Sequence, residues 1–158
     1  MDSKRNYLTD FVYDTKLKSL GVFSRQYFNS ILYSMYQTFS DDELFCFTFG
    51  DFNKLNQLNK SHSFEIGDKA IFECIQLIKE NLPKDTIIAR IAGDEFGFLT
   101  PNAYKREMDS AFQQIDTILK EHSEDVYGLT ITTSSMDSSV YPTFDELYAH
   151  TELNVNRK

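Results

Sequence analysis

Hydrophobic residues follow two patterns along the chain, one with helical spacing and one in the short, dense runs typical of buried strands. Apolar positions three and four residues apart predict amphipathic helices over 25–39, 66–82, 104–121 and 144–155. Dense aromatic and β-branched runs predict strands over 44–49, 86–91, 96–100 and 126–133. The segment 53–63 is polar, although two leucines in it have helical spacing.

These elements follow the order helix, strand, helix, strand, strand, helix, strand, helix. After the first helix, this is the βαββαβ split arrangement of ferredoxin-like folds. We therefore predict an α+β fold, a ferredoxin-like palm in which helices pack on an antiparallel sheet and an N-terminal helix is added. The length of 158 residues, without repeats or a linker, predicts a single domain over 1–158 in which 1–22 form a lead-in segment.

The formal net charge of the chain is −8 at neutral pH. Proteins that bind the phosphate backbone of nucleic acids need a basic surface, so this balance argues against a nucleic acid polymer as a partner. A single nucleotide is compatible with it, because a few local cations or a bound metal ion reverse the charge of one pocket.

Two features of the sequence bear on where the protein resides. Cys46 and Cys74 each lie in an apolar run, which predicts buried free thiols in a reducing compartment. The apolar runs are far shorter than the roughly 20 residues that cross a bilayer, and Met1 is followed by charged residues rather than a hydrophobic signal core. We expect a cytoplasmic protein with no membrane span in this chain.

The pentapeptide Ala92–Phe96 (AGDEF) forms a small-residue turn between two predicted strands and presents the adjacent carboxylates of Asp94 and Glu95. In the predicted topology the first strand lies beside this hairpin, so Asp51, which follows that strand, approaches Asp94. Two carboxylates held together repel each other unless one is protonated or a cation lies between them. Mg²⁺ suits one or two carboxylates plus substrate phosphates, so the pattern indicates a metal site.

A purely structural interpretation is the alternative. Asp51 would cap a helix that begins near Asn53, since Asp is a favoured N-cap, and Asp94 and Glu95 would be ordinary turn residues. The predicted placement of both acidic sites on adjacent strand ends favours the metal site.

Four motifs follow one another along the chain: Asp51-Phe52-Asn53, Leu58-Asn59, Gly67-Asp68 and Arg90-Ile91-Ala92-Gly93-Asp94-Glu95-Phe96. By their order and separations, the chain resembles the GGDEF family, the diguanylate cyclases, over nearly its whole length. In turn, the motifs are similar to the family's Asp-hydrophobic-Asp metal strand, to its Ile-Asn and Gly-Asp segment, and to its Arg-x-Gly-Gly-Asp-Glu-Phe signature.

The resemblance implies a metal site and a reaction. Asp51, the backbone carbonyl of Phe52 and Asp94 would hold two Mg²⁺ ions, with Mn²⁺ as an alternative. Asp94 or Glu95 would help to deprotonate the 3′-hydroxyl that attacks the α-phosphate of a second GTP.

The resemblance also implies that Asn59 and Asp68 bind the edge of guanine. An aspartate accepts hydrogen bonds from the ring N–H and the amino group of guanine, whereas adenine has no matching pair of donors. The alternatives are a loop-capping residue for Asn59 and a charge at a helix start for Asp68.

The implied function is the Mg²⁺-dependent condensation of two GTP molecules into cyclic di-GMP by a homodimer in which each subunit binds one GTP. The alternative is a degenerate GGDEF domain that binds GTP or another nucleotide as a signalling module without turnover. Two further alternatives are less favoured. Asp68 counts against a related palm enzyme that uses adenine, and a purely structural partner domain would leave the acidic cluster unexplained.

The chain departs from the family pattern where phosphates would bind. Asn56 stands at the family's phosphate-binding lysine, Ser63-Phe64 stands at its Gly-His pair, and its C-terminal Ala-Lys-x-x-Gly-Arg segment is not recognisable. Ala92 replaces the first glycine of the signature, a small change if the backbone there does not need positive φ. Three lysines are candidates to replace the missing cations: Lys54, Lys60 and Lys158.

Overall fold

The computed structural model describes residues 12–38 and 43–139, together with positions 146 and 149. The predicted helix over 144–155 otherwise lies outside the described residues, as does Lys158. Within the described ranges no helix is both long and apolar enough to cross a membrane. A 3₁₀ turn at Lys18–Leu20 precedes the following elements: α1 Arg25–Thr38, β1 Phe45–Asn53, α2 Leu55–Ser61, α3 Phe64–Glu80, β2 Ile87–Arg90, β3 Glu95–Pro101, α4 Lys105–Glu121 and β4 Thr130–Asp137.

The four strands form one antiparallel sheet in the order β2-β3-β1-β4. This is the strand order of the split βαββαβ arrangement, so the predicted α+β fold is confirmed. The register places Asp51 of β1 opposite Glu95 of β3. Near the other end of β1, Cys46 lies opposite Asp137 of β4.

Apolar clusters cover both faces of the sheet. One cluster joins α3 and α4 to the face that carries Phe52, Phe96 and Phe98. On the opposite face, Phe28 of α1 packs against Phe47 of β1, with ring centroids 6.0 Å apart. Burial of β1 from both sides explains why its sequence is a dense apolar run rather than an alternating one.

Several of the predicted element boundaries are wrong. The first strand, predicted over 44–49, continues to Asn53 and so contains Asp51. The polar segment after β1 contains a separate short helix, α2, which covers only seven residues and therefore shows little hydrophobic periodicity. The last strand begins at Thr130 rather than 126, because Tyr127 (φ 53°) and Gly128 (φ 73°) have left-handed backbone conformations that a strand does not adopt. It continues to Asp137, beyond the predicted end at 133.

The described part of the lead-in segment, together with Phe23 directly after it, packs along the outer edge of β2. The Phe23 N–H donates to the Ile88 carbonyl at 2.9 Å, and the Arg90 N–H donates to the Phe23 carbonyl at 3.0 Å. Leu17 is buried in the core behind this contact. The segment therefore covers the edge of the sheet that leads into the AGDEF turn.

Candidate active site

The AGDEF turn and the end of β1 meet at one corner of the sheet, called here the acidic corner (Asp51, Asp94 and Glu95). Asp51 lies opposite Glu95 across the β1–β3 pair. One residue later, the Phe52 N–H donates to the Asp94 carbonyl at 2.8 Å and fixes the turn against β1. Backbone hydrogen bonds thus bring together the two acidic sites that the sequence predicts to be adjacent.

The turn itself is tight, yet its first position does not require glycine. The Glu95 N–H donates to the Ala92 carbonyl at 3.4 Å, and the Ile91 N–H donates to the Glu95 carbonyl at 2.8 Å. Neither Ala92 nor Gly93 has a positive φ, so the alanine causes no backbone strain. A Cβ built on Gly93 meets no atom within 4 Å, which leaves that side of the turn open.

Arg90 holds the turn from the side. Its Nε and Nη2 donate to the Gly93 carbonyl at 3.1 and 2.7 Å, and its guanidinium lies 5.6 Å from the centre of the Phe96 ring. Its Nη1 is 3.5 Å from Asp14 Oδ2, in a pair that is largely buried. Nothing in the sequence marks Asp14 for this contact, because a single acid in the lead-in segment has no recognisable spacing to Arg90.

The carboxylates of the acidic corner repel one another. The Oδ1 atom of Asp51 is buried, and no residue in the described ranges gives it a hydrogen bond. Burial, then the charge and hydrogen bond of Asp94 and the charge of Glu95, raise the pKa of Asp51 to about 6. A divalent cation relieves both the burial penalty and the repulsion, so an orphaned carboxylate oxygen beside two acids fits a hard ion with oxygen ligands.

The side chains of the acidic corner do not form a complete metal site by themselves. Within residues 12–38 and 43–139, no group of three or more His, Cys, Asp or Glu side chains is arranged to hold a metal ion by itself.

Asp51 does not cap a helix. The helix that follows it, α2, begins at Leu55, and its N-cap is Lys54, which has φ 68° and makes no side-chain capping hydrogen bond. Asp51 lies within β1 instead. The structural interpretation of Asp51 as an N-cap is therefore wrong.

A cleft of about 290 Å³ opens beside the acidic corner, between α2, the start of α3 and the AGDEF turn. Its volume is close to the lower limit of the roughly 300–1,000 Å³ typical of small-molecule sites. Because Asp94 belongs to both, the cleft is continuous with the acidic corner. The side chains and backbone that line it include Asn59, Phe64, Gly67, Asp68, Arg90 and Asp94.

Asn59 and Asp68 line this cleft from two different helices. Asn59 Oδ1 is buried, and none of the described residues donates a hydrogen bond to it. A Cβ built on Gly67 would lie 1.8 Å from this oxygen, so only glycine leaves room for the amide as it stands. Asp68 Oδ2 is 3.7 Å from Lys16 Nζ in an exposed pair. Asn59 lies inside α2, and Asp68 lies beyond the first turn of α3, so neither loop capping nor a helix-start charge explains them.

Positive charge is scarce among the residues that line the cleft. Arg90 is the one Lys or Arg among the described residues that line it, and its guanidinium is already occupied by the Gly93 carbonyl and Asp14. Asn56, which stands at the position of the family's phosphate-binding lysine, lines the cleft without a charge. Lys54 and Lys60 are exposed and do not line it.

The family model described as "Diguanylate cyclase, GGDEF domain" matches residues 19–154. The chain belongs to the GGDEF family. The resemblance expected from the order of the motifs is therefore confirmed, and the chain is a diguanylate cyclase-like GGDEF domain.

The fold of this GGDEF domain is similar to those of solved GGDEF structures. The GGDEF domain of DgcB from Caulobacter crescentus, in complex with c-di-GMP, is 13% identical, with a TM-score of 0.75 over 92% of this chain and 88% of that one. The GGDEF domain of FimX from Pseudomonas aeruginosa is 14% identical, with a TM-score of 0.71 over 93% and 95% of the two chains. A microbial GGDEF domain that interacts with cyclic di-GMP is 19% identical, with a TM-score of 0.77 over 99% and 92%. At these identities the similarity shows a shared fold.

Proposed function

We propose that this GGDEF domain binds GTP in the cleft and, as a symmetric homodimer, condenses two GTP molecules into cyclic di-GMP. One observation carries the proposal: the cleft lined by Asn59 and Asp68 runs into the acidic corner through Asp94. A nucleotide whose base lies beside Asn59 and Asp68 directs its phosphates toward the acidic corner.

The base end of the cleft suits guanine. The Asp68 carboxylate accepts hydrogen bonds from the ring N–H and the amino group, and the buried Asn59 amide oxygen offers an acceptor that no described protein group satisfies. Adenine presents an acceptor where guanine has its ring donor, so it would leave the carboxylate unpaired. Gly67 keeps the amide in this position, since any side chain there would displace it.

The acidic corner suits divalent cations. Two Mg²⁺ ions, or Mn²⁺, held by Asp51, the Phe52 carbonyl and Asp94 would polarise the α-phosphate and neutralise charge that develops on it. Backbone contacts of the chain hold the carboxyl groups of this corner in place. The hydrogen bond from the Phe52 N–H to the Asp94 carbonyl and the Asp51–Glu95 register keep three carboxyls in one corner before any ligand binds.

In the proposed reaction, Asp94 or Glu95 accepts the proton of the attacking 3′-hydroxyl. The 3′-oxygen bonds to the α-phosphorus of the other GTP, the bond from that phosphorus to the bridging oxygen breaks, and pyrophosphate leaves. Because each cleft holds one GTP, the attacking hydroxyl belongs to the nucleotide of a second subunit. Two symmetric attacks close the ring, so a two-fold dimer is the arrangement required.

A second candidate function is a nucleotide-binding module without turnover. The scarcity of cations around the cleft favours it, because Asn56 lacks a charge and the guanidinium of Arg90 is engaged by protein groups. Each charge-assisted hydrogen bond to a phosphate contributes about 1.5–3 kcal/mol. A cleft with fewer such bonds therefore has a lower affinity for the triphosphate.

The test is to incubate the protein with Mg²⁺ and GTP, ATP or both, and to identify the products by mass. Asp94→Ala removes a carboxyl of the acidic corner, and Asp116→Ala is the matched control. Asp116 is a partly exposed acid on α4 that pairs with Lys120 at 2.8 Å, and it lines neither the cleft nor the corner.

Cyclic di-GMP formed by the wild type and by Asp116→Ala, but not by Asp94→Ala, supports the enzyme. Thermal stabilisation by GTP without product supports the binding module. A product built from ATP alone supports a palm enzyme for a different nucleotide. Neither binding nor product at millimolar GTP overturns both leading candidates.

A further inference from the structure

Phe64 has the most exposed large apolar side chain in the described part of the chain, with 75% of its surface accessible, and it lines the cleft. It is the first residue of α3. Ser63 precedes it as the N-cap, and the Ser63 hydroxyl accepts a hydrogen bond from the Ile66 N–H at 3.2 Å. The helix start therefore holds the backbone of Phe64 in place while its ring remains open to solvent.

The polar groups of the cleft act on the edge of a base and leave its faces uncontacted. Asn59 and Asp68 offer hydrogen bonds, which lie in the plane of a purine. An exposed aromatic ring in the same cleft offers the complementary contact, because every nucleobase has a π-face that stacks on an aromatic side chain. Exposing a phenylalanine to water is unfavourable, and covering it with a base removes that cost.

We propose that Phe64 is the stacking platform for the nucleobase, a binding residue that adds affinity for any base, while Asn59 and Asp68 select guanine. This inference rests on the proposed function, since it assigns the face contact of the same nucleotide. It makes a distinct prediction. Loss of Phe64 weakens GTP and ATP by the same factor, whereas loss of Asp68 changes the ratio between them.

The first experiment uses fluorescence, for which the chain is well suited because it contains no tryptophan. Phe64→Trp places a single indole in the cleft. Tyr104→Trp is the matched control, because Tyr104 is 42% exposed and precedes α4. It follows Pro101, which pairs with Phe45 at the end of β1 that is about 20 Å from Asp51. The probes are the α,β-methylene analogue of GTP, which cannot release pyrophosphate, the same analogue of ATP, and inorganic tripolyphosphate, all with Mg²⁺.

The expected result is saturable quenching of Phe64→Trp by both nucleotide analogues, none by tripolyphosphate, and none in Tyr104→Trp. In calorimetry, Phe64→Ala weakens both analogues about tenfold, Phe64→Tyr restores the affinity, and tripolyphosphate binds all three proteins alike. Because Phe64 is exposed, the unfolding midpoint of Phe64→Ala should match that of the wild type.

The inference is overturned if the wild type binds the GTP analogue while Phe64→Ala has the same affinity and Phe64→Trp shows no quenching. The proposed function stands in that case. If the wild type binds neither analogue at millimolar concentration, the proposed function fails and the inference fails with it. Should Phe64→Ala not fold, the comparison of Phe64→Trp with Phe64→Tyr and Tyr104→Trp gives the same decision.

Discussion

Asp51 and Asp137 lie near opposite ends of the β1 pairing and behave in opposite ways. Asp137 is 4% exposed, and its carboxylate accepts hydrogen bonds from the Lys105 N–H at 2.7 Å, from the Ser139 N–H at 3.1 Å and from the Ser139 hydroxyl. Burial alone would raise the pKa of Asp137, but these hydrogen bonds outweigh it and lower that pKa. Asp51 has a buried oxygen to which no described group donates a hydrogen bond, and its pKa is raised.

The contrast between these two aspartates shows that burial alone does not identify a functional acid. Asp137 completes the start of α4, where free backbone N–H groups need an acceptor. Asp51 accepts no hydrogen bond from a described helix start of this kind. Burial and the charges of Asp94 and Glu95 disfavour its ionised form, as is expected of a carboxylate that binds a cation. Asp137 stabilises the fold, and we propose that Asp51 acts in metal binding.

Among the variants that separate the two aspartates, Asp51→Asn should have the strongest effect, on the rate of cyclic di-GMP formation. Asp51→Asn keeps the shape of the side chain but removes the charge that we propose binds the metal ions. Metal-ion catalysis is worth several kcal/mol, so we expect cyclic di-GMP formation to fall by at least about 10³-fold. Initial rates measured by product mass at saturating GTP and Mg²⁺ check this. Activity of Asp51→Asn within tenfold of the wild type would contradict the role assigned to Asp51.

The next effect is on stability, at the other end of the sheet. Asp137→Ala leaves the N–H groups of Lys105 and Ser139 without their acceptor, and we expect the free energy of unfolding to fall by about 2 kcal/mol. Urea denaturation followed by circular dichroism measures it. The affinity of the folded variant for GTP should stay within twofold of the wild type. A variant as stable as the wild type would remove the distinction between the two aspartates.

The smallest effect is a difference in pH dependence, measured in EDTA so that no metal is bound. The folded pKa of Asp51, about 6, lies above its ordinary 3.8, so Asp51 stabilises the fold below about pH 4 and loses that contribution as the pH rises through 6. The full shift corresponds to about 3 kcal/mol, which partial solvent exposure reduces to about 1 kcal/mol. Asp51→Asn should therefore gain about 1 kcal/mol over the wild type between pH 4 and 7.

Asp137 should show the opposite sign in the same titration. Its folded pKa is lowered, so its contribution is present above the ordinary aspartate pKa and is lost as the pH falls through the folded value. The deficit of Asp137→Ala should shrink in acid, whereas the advantage of Asp51→Asn grows toward neutral pH. Parallel pH profiles for the two variants would show that the aspartates do not differ in the way described.

Much of the fold could be predicted because its signals are local. The dense run of β1, the AGDEF turn and the order of the elements were sufficient for the α+β sheet and for the closeness of Asp51 and Asp94. Both cysteines are buried free thiols, as predicted. The short α2 was missed as a separate helix, since two leucines in seven residues do not establish a period.

The remaining features depend on contacts between distant parts of the chain. The ion pair of Arg90 with Asp14 joins the lead-in segment to the turn, and no spacing in the sequence announces it. The close approach of Gly67 to Asn59 depends on how α2 and α3 pack, which periodicity does not specify. The exposure of Phe64 is equally hidden, because an apolar residue at a helix start is ordinarily expected to be covered.

The central position of β1 in the sheet also has a consequence in time. Asn53 of β1 and its partner Thr130 of β4 are 77 residues apart. At a synthesis rate of about 5–20 residues per second, β4 leaves the ribosome roughly 4–15 s after β1. During that interval β1 can pair with β3 and align the acidic corner, while its other edge has unpaired backbone groups that invite association with other chains. The nascent protein can therefore form the outline of its candidate site before β4 completes the sheet.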